Sequence, residues 1–231
     1  MEYGSAEGAA AYAEKHRRSF LRRLANRREL SLFDRALAQA AAYGKVLDCP
    51  CGAGRLGPVL LRRAVRLVAT DLSLPMLREA RTALAAPARA GRVAFVRAPA
   101  AALPWPKGTF DIAVCSRLLH HLTDPTARAR LLGELARVAS RWVVLSFHDA
   151  TALKRRLQGR RARSRIALAP AQLAAEAAAA GLHLVPPVRR LNGWFSLVAV
   201  ALFRVEPPAF APSERRFGEA ADGPRPPSVF H

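Results

Sequence analysis

Short apolar runs alternate with segments of helical composition from Lys45 onward, and this alternation constrains the fold more than any other feature of the sequence. The segments between the runs are rich in Ala, Leu and Arg. Repetition of strand, helix and strand predicts βαβ units around a mostly parallel, doubly wound sheet. The first five strand-like runs are Val46–Cys49, Leu67–Thr70, Val93–Val96, Phe110–Ser116 and Trp142–Phe147.

Capping residues and prolines mark where the intervening helices begin. Ser73 can cap one helix, and either Thr123 or Asp124 can cap another, because each offers a side-chain oxygen to the free N–H groups of a first turn. We expect helices from about Leu56, Pro75 and Pro125.

The chain after Phe147 completes the sheet. A basic segment, Lys154–Arg165, precedes an Ala-rich helix expected from Pro170 to a stop near Gly181. Two further strand-like runs, Leu182–Val185 and Trp194–Val205, bring the expected sheet to seven strands.

The chain is expected to have three parts. Residues 1–45 are expected to form a helical amino-terminal cap or lid, with Phe20, Leu21 and Leu24 on a short apolar face among arginine pairs. Residues 46–205 form the α/β domain. Residues 206–231 are rich in Pro and charge, which is typical of a disordered or loosely attached tail.

The segment VLDCPCGAGRLG, residues 46–57, has the pattern of a ligand-binding turn between a strand and a helix. Gly52 and Gly54 allow a ligand to approach main-chain N–H groups near a helix start. With Gly57 they also spell GxGxxG, the dinucleotide fingerprint. Asp48 argues against that interpretation, because a carboxylate at the end of the strand repels a pyrophosphate and suits a cationic ligand.

The Gly-containing turn resembles the first motif, "DxGCGxGR", of class I S-adenosylmethionine-dependent methyltransferases, matched here by Asp48–Arg55. The likeness is strongest to the methyltransferase-11 type group, which includes quinone-biosynthesis enzymes, and it extends over roughly Leu30–Val205. It implies a Rossmann-like methyltransferase fold and S-adenosylmethionine as cofactor. Pro50 departs from the family, where Gly is common, and narrows the freedom of the loop.

Later motifs of the family are matched unevenly. Asp71, about 20 residues beyond the Gly loop, corresponds to the acid that hydrogen-bonds the ribose hydroxyls, with Leu72 against adenine. The third motif weakens in Ala98–Trp105, because Pro99 replaces the carboxylate expected at the adenine amino group. The segment Phe110–Pro125 matches the strand that ends beneath the methyl group.

The resemblance implies one set of cofactor-binding residues, drawn from the four motifs and the second helix: Asp48, Cys49, Pro50, Cys51, Gly52, Gly54, Arg55, Asp71, Leu72, Met76, Ala100, Ala101, Cys115 and Ser116. His120 and His121 are the candidates for a general base. The same pair can instead pack and hydrogen-bond the loop, and this second interpretation is preferred. His148 and Asp149 resemble a solvated turn more than an acceptor-binding pair.

Composition narrows the partners and the compartment. Three cysteines supply neither a disulfide framework nor a spaced set of metal ligands, so we expect no metal and a reducing cytoplasm. The longest apolar run, Trp194–Phe203, is too short for a membrane helix, and no export signal is recognised, so we expect no transmembrane segment. The net charge of +20 comes mostly from Arg and accompanies an excess of Ala and Leu. Compositional bias therefore explains it as well as a nucleic acid or anionic membrane partner does.

Four functions fit these motifs to different degrees. The leading one is methyl transfer to an O, N or C atom of a small molecule. RNA methylation is a second, motivated by the charge, although neither an NPPY-like tetrad nor a Pro-Cys pair follows the fourth strand. A NAD-dependent oxidoreductase rests on GxGxxG alone. A cofactor-binding module without activity is the fourth, with Pro50 and Pro99 as signs of decay.

Overall fold

A computed structural model of the chain describes residues 20–40, 43–152, 166–194 and 197–206. Its sheet has seven strands in the order β3-β2-β1-β4-β5-β7-β6, and β7 alone runs antiparallel to its neighbours. This confirms the predicted mostly parallel, seven-stranded sheet. The strands are β1 (Tyr43–Asp48), β2 (Ala64–Asp71), β3 (Val93–Arg97), β4 (Phe110–Cys115), β5 (Ala139–His148), β6 (Leu182–Trp194) and β7 (Val198–Val205).

Helices cover both faces of this sheet. They are α1 (Phe20–Gln39), α2 (Gly57–Leu60), α3 (Leu74–Ala83), α4 (Ala85–Arg89), α5 (Pro125–Val138) and α6 (Pro170–Ala178), with a 3₁₀ turn at Leu119–His121. Alternate residues of β4 enter different cores: Ile112 and Val114 pack with α1 and α3, while Ala113 and Cys115 pack with α5 and α6. The fold is therefore doubly wound. None of the described helices is both long and apolar enough to cross a membrane.

The helix starts agree with local sequence chemistry. The Ser73 hydroxyl accepts a hydrogen bond from Met76 N–H, and the Asp124 carboxylate accepts from the N–H groups of Thr126 and Ala127. Asp124, rather than Thr123, therefore caps α5. The helix expected from about Leu56 is a single turn, because β2 begins at Ala64.

Two strand boundaries differ from the sequence-based expectation. Strand β1 begins at Tyr43, because the Asp111 carboxylate of β4 accepts hydrogen bonds from Gly44 N–H and Lys45 N–H at 2.8 and 2.9 Å. The run predicted as one strand, Trp194–Val205, divides between β6 and β7, because the chain reverses there to pair antiparallel. The expectations for Lys154–Arg165 and for the tail beyond residue 206 fall outside the described residues.

Strand β1 is where the topology changes direction. It pairs in parallel with β2 on one side and β4 on the other, so the connections that leave β1 and β4 diverge. In open α/β sheets this divergence opens a crevice at the carboxyl ends of the strands. The Gly-containing loop lies at that edge.

Candidate functional site

The loop after β1 is held between its two neighbouring strands. Cys49 N–H donates to Val114 O of β4 at 2.9 Å, and Cys51 N–H donates to Thr70 O of β2 at 2.8 Å. Gly54 has a φ of 74°, and a Cβ at this position would lie 3.1 Å from the Cα of Ala80 in α3. Glycine is therefore required by both the backbone conformation and the close approach of α3.

Asp71 joins the end of β2 to this loop. Its carboxylate accepts hydrogen bonds from Gly52 N–H and Ser73 N–H, both at 2.9 Å. Burial raises the pKa of Asp71, and the backbone N–H groups around it partly offset that effect. Leu72, beside it, is 58% exposed, so an apolar side chain is accessible next to the carboxylate. Met76, also predicted for the site, is buried in α3.

Asp48 is a buried acid, and one of its two side-chain oxygens lacks a hydrogen-bond donor among the described residues. It is 1% exposed, and among the described residues nothing donates a hydrogen bond to its Oδ1 atom. Burial raises the pKa of this carboxyl to about 8, although the Arg55 guanidinium opposes the shift. A buried acceptor without a donor is unfavourable on its own. The site therefore fits a ligand that brings a cation or an N–H group to the end of β1.

The three cysteines surround this edge of the sheet as small core residues, as the sequence predicts. Cys49, Cys51 and Cys115 are all free thiols, and burial raises the pKa of each. They are therefore neutral and unreactive at physiological pH. Pro50 follows Cys49 through a cis peptide bond.

The third motif also reaches the edge formed by Asp71. Ala98 N–H donates to the Asp71 carbonyl oxygen at 3.2 Å, and Ala102 N–H closes a turn onto Pro99 O at 3.1 Å. Ala100 is half-buried and Ala101 is exposed. The predicted adenine-binding segment is thus adjacent to Asp71, without an acidic side chain at Pro99.

The segment after β4 joins predicted residues to two that sequence reasoning missed, Arg117 and Glu29. The predicted Ser116 accepts a hydrogen bond from Arg55 Nη2 at 2.9 Å. Arg117 follows with a φ of 59°, and its N–H donates to the Ser146 hydroxyl at 2.8 Å. The guanidinium of Arg117 pairs with Glu29 from α1, and so does that of Arg55.

The two candidate histidines differ in environment. His120 is buried, His121 is exposed, and their ring centroids lie 4.3 Å apart. His120 also stacks on His148 of β5, with centroids 3.9 Å apart and ring planes 4° from parallel. The His120 carbonyl accepts a hydrogen bond from Ile166 N–H. This arrangement favours the packing role and brings His148 to the same cluster.

Asp149 is not part of a solvated turn, which corrects the sequence-based interpretation. It is fully buried, and it accepts hydrogen bonds from Thr151 N–H at 2.8 Å and Arg190 Nε at 2.7 Å. Arg190 lies in β6, 41 residues along the chain. Only the pairing of the strands shows that this buried carboxylate has an arginine partner.

Comparison with known proteins agrees with this geometry. Residues 46–141 match a family model described as a methyltransferase domain. The chain is 38% identical over 116 residues to a demethylmenaquinone methyltransferase of Thermus thermophilus, covering 48% of this chain and 50% of that protein. It is 34% identical over 103 residues to an uncharacterized methyltransferase of Mycobacterium tuberculosis, covering 44% and 50%. The chain thus spans about half the length of these relatives.

A solved structure extends the likeness to the whole fold. Magnesium protoporphyrin IX methyltransferase from Synechocystis, with bound SAH, superposes with a TM-score of 0.72 and covers 88% of this chain and 97% of that one. The sequence identity is 16%, so this comparison shows the shared fold alone.

Proposed function

We propose that this chain, whose residues 46–141 match the methyltransferase-domain family model, is a class I S-adenosylmethionine-dependent methyltransferase. The observation that supports this proposal most directly is the hydrogen bond from Gly52 N–H to the Asp71 carboxylate. It ties the acid at the end of β2 to the Gly loop after β1, at the point where the sheet topology diverges.

The residues at this edge match the parts of the cofactor in chemical type. The Asp71 carboxylate would accept hydrogen bonds from ribose hydroxyls, and Leu72 would cover the adenine together with the backbone around Ala100 and Ala101. Asp48 would face the positively charged portion of the cofactor, where its Oδ1 atom has an open acceptor position. Gly52 and Gly54 would let the ligand approach the main chain.

The residues of the chain contribute to catalysis mainly through positioning and exclusion of water. When bound, S-adenosylmethionine would supply an electrophilic methyl group to a lone pair of the acceptor, with its sulfonium sulfur as the leaving group. The reaction requires a short, linear approach and a desolvated nucleophile. The buried strand ends at Asp48 and Cys115 would exclude water from one side of that approach. A base supplied by the protein is not required.

We assign a small molecule as the acceptor, on the ends of β4 and β5. The Thermus thermophilus relative is a demethylmenaquinone methyltransferase, and the Synechocystis enzyme that shares the fold acts on magnesium protoporphyrin IX; both acceptors are small organic molecules. His148, which is half-buried at the end of β5 and stacks on the buried His120, would line the acceptor pocket. Within this assignment, His120 and His121 are the candidates for the group that accepts a proton from the acceptor. The free thiols are consistent with a cytoplasmic enzyme.

Isothermal titration with S-adenosylmethionine, S-adenosylhomocysteine and NADH tests the proposal. We expect the wild-type chain to bind both sulfur ligands and not NADH. Asp71→Asn should weaken the binding of both ligands by about ten- to a hundredfold, because each hydrogen bond to a charged acceptor contributes about 1.5–3 kcal/mol.

Asp111→Asn is the matched control for this test. Asp111 also accepts hydrogen bonds from two backbone N–H groups, but at the amino-terminal edge of β1 and β4, opposite the proposed site. Its substitution should leave both affinities unchanged. Absence of binding by the wild type, a preference for NADH, or an equal loss in both variants contradicts the proposal.

A further inference from the structure

Glu29 occupies a position on α1 where an apolar residue is expected. The buried residues of this helix recur at helical spacing and face the sheet, and they are Leu32, Phe33, Ala36 and Leu37. Glu29 precedes the first two by three and four residues, so it extends the same inward face by one turn. It is 1% exposed. A carboxylate buried at this position needs compensating partners.

Two arginines provide those partners. Arg55 Nη2 donates to Glu29 Oε1 at 3.0 Å, and Arg117 Nε donates to the same oxygen at 3.1 Å. Arg117 Nη2 donates to the second carboxylate oxygen. Burial alone would raise the pKa of Glu29, but the two guanidinium groups outweigh it and hold the pKa below its ordinary value. The carboxylate is therefore ionised and fully engaged.

The two arginines belong to the two loops that frame the proposed cofactor site. Arg55 directly follows Gly54, and it also donates to Ser116 at the end of β4 and to Asn26 of α1. Arg117 directly follows Ser116 in a left-handed conformation that is unfavourable for arginine. Its side-chain bonds to Glu29 and its N–H bond to Ser146 hold it there.

We infer that Glu29 is a positioning residue that sets the separation of the Gly loop from the end of β4, and so makes α1 part of the cofactor site. The inference rests on the proposed function. Without the Glu29 charge, two neighbouring guanidinium groups would face each other and repel. The loops that carry them would move apart, and the geometry required by the ligand would be lost. If residue 29 served only to hold α1 against the sheet, an apolar side chain would stabilise the fold equally well.

Variants of the 231-residue chain test this role. Glu29→Gln should weaken S-adenosylhomocysteine binding, measured by isothermal titration, by about tenfold or more, since small displacements of a binding loop have large effects. Glu29→Asp, which keeps the charge, should recover part of the affinity. Asp34→Asn is the matched control, because Asp34 is the other acid of α1 that pairs with arginines, Arg62 and Arg63, outside the site. It should bind as the wild type does.

Hydrogen exchange of the wild-type chain gives an independent readout if Glu29→Gln does not fold. Saturation with S-adenosylhomocysteine should slow exchange of the α1 amides around residues 26–33 at least about threefold more than those around 35–39, because Glu29 couples that turn to the ligand. The inference is overturned if the ligand slows exchange equally along α1, or if Glu29→Gln binds the ligand with wild-type affinity. Either result leaves the proposed function intact. Failure of the wild type to bind the ligand removes both.

Discussion

The chemistry of the site depends most on single acids at strand ends, and Asp48 is the clearest case. Its pKa in the folded chain is about 8, against an unperturbed value of 3.8, because burial disfavours the charged form. The folded state therefore holds this proton more tightly than the unfolded state does. The resulting contribution to stability is complete below pH 4 and is lost as pH rises through about 8.

Asp48→Asn tests this linkage. The variant keeps the shape of the side chain but has no ionisable group at this position. Its melting temperature without ligand should therefore fall less than that of the wild type between about pH 6 and about pH 9. A cationic ligand stabilises the ionised carboxyl, so the affinity of the wild type for S-adenosylmethionine should rise with pH across the same window. Thermal melts and titrations at a series of pH values measure both. Identical pH profiles in the two proteins would contradict the assigned role of Asp48.

Residues of the site differ in how far sequence reasoning could predict them. Asp48, Gly52 and Gly54 lie within one turn, so their spacing identifies them directly. Glu29 was missed because its partner Arg117 is 88 residues away, although its place on the apolar stripe of α1 was a usable signal. Asp149 was misjudged for the same reason. The arginine that pairs with a buried acid can be identified from sequence only when the arrangement of the strands is known.

At the scale of elements, the start of α5 permits a clean test of local chemistry. The Asp124 carboxylate accepts hydrogen bonds from Thr126 N–H at 3.0 Å and Ala127 N–H at 3.2 Å, while Thr123 precedes the cap. Asp124→Ala should lower the free energy of unfolding by about 1 kcal/mol. Thr123→Ala should change it by less than about 0.5 kcal/mol, as is usual for an exposed side chain. Urea denaturation distinguishes them, and equal losses would mean that the cap is misassigned.

Elements defined by local pattern were predictable, and those defined by contacts across the fold were less so. The starts of α3 and α5 followed from Ser73 and from Pro125 within one turn. Of the apolar face expected at Phe20, Leu21 and Leu24, only the Leu24 side chain is described, and it is half-buried; the buried stripe described on α1 includes Glu29 and Leu32. Short periodic segments give several possible faces, and only packing against the sheet selects among them.

At the scale of the whole molecule, some of the many arginines stabilise the fold through hydrogen bonds to backbone carbonyl oxygens. Arg92 Nη2 donates to the carbonyl oxygens of Leu61 and Ala64 at 2.7 and 2.9 Å, and Arg137 Nη2 donates to Leu103 O at 2.8 Å. The carbonyl oxygens that Arg92 binds are neutral and do not cancel its charge, whereas the guanidinium of Arg137 also pairs with the Glu134 carboxylate. Part of the +20 net charge is thus explained by folding, without an anionic partner.

An uncancelled charge of this size makes stability sensitive to salt, because repulsion among the basic groups is stronger in the compact state than in the unfolded chain. Raising NaCl from about 0.01 M to about 0.1 M shortens the Debye length from about 30 Å to about 10 Å. Exposed pairs such as Arg62 with Asp34 are worth too little for their screening to reverse the effect.

The melting temperature should therefore rise by about 2–4 °C over this range, which corresponds to roughly 1 kcal/mol for a chain of this size. Sodium sulfate at matched ionic strength is the control. A much larger rise in sulfate would indicate a specific anion site instead of screening, and an unchanged or lower melting temperature in NaCl would show that the basic groups do not repel each other in the folded chain.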